Sequence, residues 1–285
     1  MSALMLRRRW RRLELEMHAR RNRPIGGAQE PGMIVLRSLF YNFCFYALLI
    51  VLMILGLPAL VAGRSATEAY ARFWARISLV LLDRTCHLSV EFRGLQHLPE
   101  GAVIVAAKHQ SFLDVLALPL KVRDFAFIYK RELGFIPLFG LYLRYSGQIA
   151  IDRAKGGSAL SQVIAAAKRI FVAHRRLLIF PEGTRKAVGA APAYKTGVAR
   201  IAQETNAVCV PVALNSGLFW RRRGFLRRPG TAVIEFLAPI APGLDKESFM
   251  RLLETRIEEA TQRLVAEALA KDPALALRAA AKTAT

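Results

Sequence analysis

Residues 38–62 read SLFYNFCFYALLIVLMILGLPALVA and contain no charged side chain. As one helix the stretch would be about 37 Å long, enough to cross the hydrocarbon of a bilayer. Gly56 and Pro58 interrupt it, so a kink or a re-entrant turn is expected there. A cleaved signal peptide does not fit, because the region in front is too long and the apolar core exceeds the usual h-region. In that region Arg7, Arg8, Arg9, Arg11, Arg12, Arg20, Arg21 and Arg23 outnumber Glu14 and Glu16. Residues 1–33 read either as a solvated tail or, as the hydrophobic segment directly after them favours, as a polybasic arm that lies on anionic headgroups. After the apolar stretch, SATEAYARFWARISLVLLD (65–83) reads as an amphipathic helix. Phe73, Ile77, Val80 and Leu81 fall at helical spacing, with Arg72 and Arg76 among them. Residues 34–84 are thus expected to be membrane-anchoring helices.

Composition narrows the choice of partner. The chain of 285 residues is 54% apolar and carries a formal charge of +21. Basic charge suits nucleic acid, anionic lipid or an acidic carrier protein, and the hydrophobicity tilts the balance toward lipid. Cys44, Cys86 and Cys209 are scattered, with no C-x-x-C pair. Neither a zinc site nor a disulfide framework is suggested, and a reducing, cytosol-facing location fits.

From about residue 86 short apolar runs alternate with helical patterns. HLSVEF, AVIVAA, FAFIY, QIAI, RLLIF, AVCVPVAL and TAVIEFL read as strands. Residues 158–174 form a helix with one stripe of Leu160, Val163, Ile164, Ala167, Ile170 and Phe171. A second helix covers about 246–269. The pattern predicts an α/β fold, a largely parallel sheet flanked by helices and preceded by the N-terminal hydrophobic helical anchor. Residues 85–270 would be this domain, and the Ala-rich 271–285 a disordered tail. Such folds place ligands at the carboxyl ends of strands.

Two strand ends carry chemistry. KHQSFLD (108–114) follows the apolar AVIVAA. Ser111 and Asp114 form S-x-x-D, a capping box that starts a helix. That accounts for both residues but not for His109. A tight strand-to-helix turn can bring His109 and Asp114 together, so that Asp114 takes one imidazole proton and the other nitrogen is free as a base. There is no G-x-S-x-G elbow, so the base would act on a hydroxyl supplied by a substrate. The second end is RLLIFPEGTR (176–185). Pro181 and Gly183 are ordinary turn residues, and Glu182 with Arg185 could be a surface ion pair. Alternatively Gly183 permits close approach while Arg185 clamps a phosphate. A third segment, LFWRRRGFLRRPG (218–230), mixes arginines with aromatics and reads as an interfacial patch or a dock for an acidic carrier.

Together and in this order, these blocks resemble the glycerolipid acyltransferases. HQSFLD matches that family's H-x4-D motif, and FPEGTR matches its phosphate-binding motif. YKRELGFIPLFG (129–140) resembles the second block and VCVPVAL (208–214) the fourth, so the likeness covers most of 86–240. Lys108 stands where many members have Asn. Within the family the nearest likeness is to the bacterial enzymes acting on 1-acyl-sn-glycerol 3-phosphate (lysophosphatidic acid). The resemblance implies acyl transfer from acyl-CoA or acyl-carrier protein to the sn-2 hydroxyl of that lipid, giving phosphatidic acid. It implies a bacterial inner membrane, with the catalytic domain facing the cytosol. His109 would be the general base and Asp114 its orienter. Glu182, Gly183, Thr184 and Arg185, with Lys130 and Arg131, would bind the substrate. Val210 and Pro211 would lie near the acyl-chain groove, though they read equally well as a buried strand end. No metal, cofactor or nucleic acid is implied.

Two other readings stand beside this one. A related acyltransferase could act on glycerol 3-phosphate or a lyso-ornithine-type lipid. A membrane-anchored basic nucleic-acid binder would leave His109 unexplained. If the domain faces the cytosol, a single crossing would put the arginine arm outside, against the positive-inside tendency. Residues 38–62 and 65–83 are therefore expected to embed in one leaflet.

Overall fold

The computed structural model describes residues 30–152 and 156–275. Nearly all of the basic arm, and the tail beyond 275, lie outside them. Seven strands form one sheet: β1 (Leu88–Arg93), β2 (Ile104–Ala107), β3 (Phe125–Lys130), β4 (Ile149–Ile151), β5 (Arg176–Ile179), β6 (Cys209–Leu214) and β7 (Gly230–Phe236). Each falls in one of the apolar runs picked out by pattern. Their spatial order is β1-β7-β6-β2-β5-β3-β4. Every neighbouring pair is parallel except β6 and β7.

β2 lies between β5 and β6, and all four of its residues are buried. That is why its sequence is continuously apolar rather than alternating. Ile104 and Ala106 pack toward α6 (Gly156–Val172), α7 (Gly197–Thr205) and α8 (Lys246–Lys271), against Val163, Ile201, Leu253 and Ile257. Val105 and Ala107 face the other way, with Leu118, Val122 and Leu79. The helices α7 and α5 (Phe139–Tyr145) are too short for a periodicity argument to have found them.

The apolar stretch does not make one helix. α1 runs Pro31–Leu55, breaks at Gly56, continues as the single turn α2 (Leu57–Val61), and is followed by α3 (Arg64–Cys86). Pro58 falls in the first turn of α2, where it needs no helical partner for its nitrogen. The break sits where two tyrosines reach the end of α1. Tyr70 of α3 donates to Leu52 O at 2.8 Å, and Tyr142 of α5 donates to Met53 O at 2.9 Å. Tyr142 thereby satisfies a carbonyl at the helix terminus, while Leu52 O also accepts the Gly56 amide at 2.9 Å. A Cβ on Gly56 would lie 2.2 Å from the Tyr70 ring and 2.4 Å from the Tyr142 hydroxyl.

The other end of α1 is also docked. Arg227 donates from its backbone to Ser38 Oγ at 2.8 Å and from its guanidinium to Asn42 Oδ1 at 2.7 Å. Its guanidinium lies 3.7 Å from the Trp220 ring centroid, and Tyr41 packs edge-on to Trp220. Burial pushes Arg227 down to about 10. The 218–230 segment therefore differs from the expected surface patch. Trp220 and Arg227 are buried against α1 and Phe219 and Arg228 are buried beside them, while Arg222, Arg223 and Phe225 remain exposed. The outer face of α1 stays uncovered, with Phe43 75% exposed and Leu36, Leu39, Phe40, Ile50 and Leu55 beside it.

Candidate active site

His109 is the second residue after β2 and Ser111 is the N-cap of α4 (Phe112–Ala117). The expected capping box is present: the Ser111 side chain accepts from the first turn, and Asp114 returns the bond to the Ser111 amide. The tight turn that this box requires folds His109 back over Asp114. His109 Nδ1 lies 3.0 Å from Asp114 Oδ2. The same oxygen accepts from the backbone amides of Gln110 at 2.8 Å and Ser111 at 2.9 Å, and the Ser216 hydroxyl donates to Oδ1. A carboxylate surrounded by donors is the acceptor partner of an Nδ1–H tautomer, which leaves Nε2 with a free lone pair. Asp114 is fully buried while the His109 side chain is 13% exposed. The ring is also held by stacking on Phe180, at 3.9 Å between centroids.

The β5 loop lies beside this pair. Lys186 donates from its backbone to the His109 carbonyl at 2.8 Å, tying the loop after β5 to the loop after β2. Gly183 has φ +65°, the left-handed region that favours glycine, and its Cα faces the end of the Lys195 side chain. Its amide donates to Phe180 O at 2.9 Å, which closes the turn after β5.

Glu182 does not pair with Arg185. It is buried, accepts from Lys108 Nζ at 3.1 Å and receives the His109 amide at 3.3 Å. Lys108 also meets Glu258 of α8, which in turn accepts from the Tyr194 hydroxyl at 2.8 Å. Behind the imidazole therefore lies a buried cluster of one ammonium and two carboxylates. Burial, and after it the bond to Glu258, raises the Tyr194 proton affinity, so the phenol stays a donor.

Arg185 lies on the open side. It donates to Arg222 O at 3.4 Å. Burial and the neighbouring Arg222 lower its proton affinity, and Asp114 opposes them. Such a guanidinium, near a second arginine and close to the His–Asp pair, is suited to an anion. Thr184 beside it is exposed. Lys130 ends β3, two strands from β2, and Arg131 follows it; both are exposed, in ion pairs with Glu132 and Asp152. They share the carboxyl edge with His109, but those contacts are local. Val210 and Pro211 are enclosed in mid-sheet, paired with Val105 and Ala106 of β2. That is the buried-strand position and offers no open surface. Among the described residues no group of three or more His, Cys, Asp or Glu is placed to hold a metal.

Sequence reasoning missed Glu258, Tyr194 and Ser216. One signal was available: a lysine directly after a buried strand demands a carboxylate partner. The partner lies 150 residues away, and spacing alone could not point to it.

Residues 89–215 match the family model described as Acyltransferase. The chain is 32% identical over 158 residues to the 1-acyl-sn-glycerol-3-phosphate acyltransferase of Pseudomonas aeruginosa, a match covering 55% of this chain and 62% of that protein. To the 1-acyl-sn-glycerol-3-phosphate acyltransferase alpha of Mus musculus it is 28% identical over 208 residues, covering 71% of this chain and 72% of that one. The crystal structure of the 1-acyl-sn-glycerophosphate acyltransferase of Thermotoga maritima superposes with a TM-score of 0.70. It covers 82% of this chain and 98% of that one, and at 23% identity the likeness is one of fold.

Proposed function

We propose that this chain, whose residues 89–215 match the acyltransferase family model, moves a fatty acyl group from a thioester to the sn-2 hydroxyl of 1-acyl-sn-glycerol 3-phosphate. The observation that carries the reading is the His109–Asp114 pair, 3.0 Å apart at a strand's carboxyl edge, with the carboxylate buried and the imidazole open to one side. Nε2 takes the hydroxyl proton as the oxygen attacks the thioester carbonyl. Asp114 holds the tautomer and stabilises the imidazolium. The tetrahedral intermediate collapses, the C–S bond breaks, and the thiolate receives the proton from His109. A thiolate leaves readily, so no acyl-enzyme is needed. Arg185 holds the acceptor's phosphate, and the names of the relatives support that acceptor. The donor is acyl-CoA or acyl-carrier protein.

The same reading places the protein on the cytosolic side of a bacterial inner membrane. α1 is the one described helix long and apolar enough to cross a bilayer. It is nevertheless tied to the α/β domain at Ser38, Asn42 and Met53 and to α3 at Leu52, and its outward face is apolar. A helix bound along its length in this way suits one leaflet better than a crossing. A lipid acceptor then reaches His109 by moving sideways from that leaflet.

The test is mass spectrometry of the lipids formed by purified protein in vesicles. Lysophosphatidic acid, glycerol 3-phosphate and a lyso-ornithine lipid are each offered with acyl-CoA or acyl-carrier protein. Phosphatidic acid from lysophosphatidic acid is the expected product. His109→Ala should lower kcat by about a hundredfold or more, while the melting temperature stays near wild type. Near-normal turnover in that folded variant would remove His109 from the chemistry.

A further inference from the structure

A carboxylate that orients a histidine must itself be oriented. The amides of Gln110 and Ser111 and the ring of His109 all converge on Asp114 Oδ2. Rotation of an aspartate about χ2 is soft and nearly two-fold. The local turn alone therefore leaves Oδ1 unassigned, in a side chain fully out of water. The Ser216 hydroxyl donates to that oxygen from a residue itself fully buried.

Ser216 reaches there because its turn is fixed on both sides. Asn215 accepts from Val233 N at 2.8 Å and donates to Leu264 O at 2.9 Å, binding the end of β6 to β7 and α8. Gly217 donates its amide to Gln110 Oε1 at 3.0 Å. A Cβ at Gly217 would lie 3.0 Å from Gln110 Cβ and 2.9 Å from Val188 Cγ2, so only glycine lets the two turns approach. Asn215, Ser216 and Gly217 thus form a clasp from β6 onto the base pair that ends β2.

We propose that Ser216 is a positioning residue for the general base, acting through Asp114; its kinetic consequence rests on the acyl-transfer reading above. The hydroxyl sets which carboxylate oxygen faces the imidazole and keeps the other satisfied.

The test uses the full-length protein in lipid vesicles with acyl-CoA and lysophosphatidic acid. Ser216→Ala should lower kcat about tenfold to a hundredfold, the scale of one lost hydrogen bond to a buried charge, with both KM values within about twofold. Ser216→Cys, close in size but a weak donor, should fall between. In an Asp114→Asn background Ser216→Ala should cost less than about twofold, because its route is already cut. An undiminished extra loss there would make its role structural and overturn the proposal, as would full kcat in the folded single variant. A second readout is free of turnover: the downfield proton resonance of His109 Nδ1, assigned by its absence in His109→Ala. It should shift or exchange faster in Ser216→Ala, and an unmoved signal overturns the proposal. If the wild type transfers acyl groups to no acceptor, the functional reading falls and this resonance alone decides the role of Ser216.

Discussion

Lys108 sits one residue from an imidazole that the proposed chemistry requires to be neutral. A bare ammonium buried there would be costly, and Glu182 and Glu258 neutralise it from two other elements. Lys108→Met would leave two carboxylates facing each other without a cation. Loss of one partner from a buried pair costs about 3–5 kcal/mol, reduced here because Glu258 is 18% exposed. The expected outcome is a clear fall in the denaturation midpoint; an unchanged midpoint would mean the cluster contributes nothing to stability. Arg185 belongs to a different part of the site. Arg185→Ala should raise KM for the phosphorylated acceptor by the equivalent of roughly 1.5–3 kcal/mol and leave donor kinetics alone. If only the donor's KM moves, the phosphate lies elsewhere.

At the scale of elements, the site is made by strand ends and the loops that join them. β2 stops at Ala107 and α4 begins at Phe112, so the capping box has only four residues in which to turn. The turn supplies its own hydrogen bonds, and the histidine comes with it. The break in α1 is made differently. Pro58 starts the next turn, but the shape of the break follows from two tyrosine hydroxyls and a glycine with no room for a side chain. Gly56→Ala should displace Tyr70 and Tyr142 and cost about 1–3 kcal/mol, the usual range for overpacking. Tyr142→Phe should cost less, about 0.5–1.5 kcal/mol for one hydrogen bond. Limited proteolysis near residue 56, with thermal melting, reads both; wild-type behaviour in Gly56→Ala would show that the ring yields freely.

For the whole molecule, one side of α1 belongs to the fold, and the other is the apolar face proposed above to meet a membrane. The topology is tested with Cys44, Cys86 and Cys209 replaced, and a single cysteine at Met5 or at Ala280. A membrane-impermeant thiol reagent applied to intact cells should reach neither position. Labelling at position 5 with position 280 protected would show a true crossing and refute the single-leaflet arrangement.

β2 and β6 were legible because a strand in mid-sheet has no solvent side, and its apolar run is therefore unbroken. His109 and Asp114 were legible because the capping box is local, and a tight turn in front of it can bring the two side chains together. Local order could not show that Glu182 turns inward to Lys108 rather than outward to Arg185, since both are near it in the chain or the sheet. Nor could it show that Arg227 is buried on Trp220 while Arg222 stays in water, because the two share one basic run. Ser216 on Asp114, Glu258 on Lys108 and Tyr142 on the end of α1 join residues roughly 90 to 150 positions apart. Short-range physics writes the strands, the cap and the apolar helix into the sequence; the partner of each buried charge is settled only when the sheet order brings distant loops to one edge.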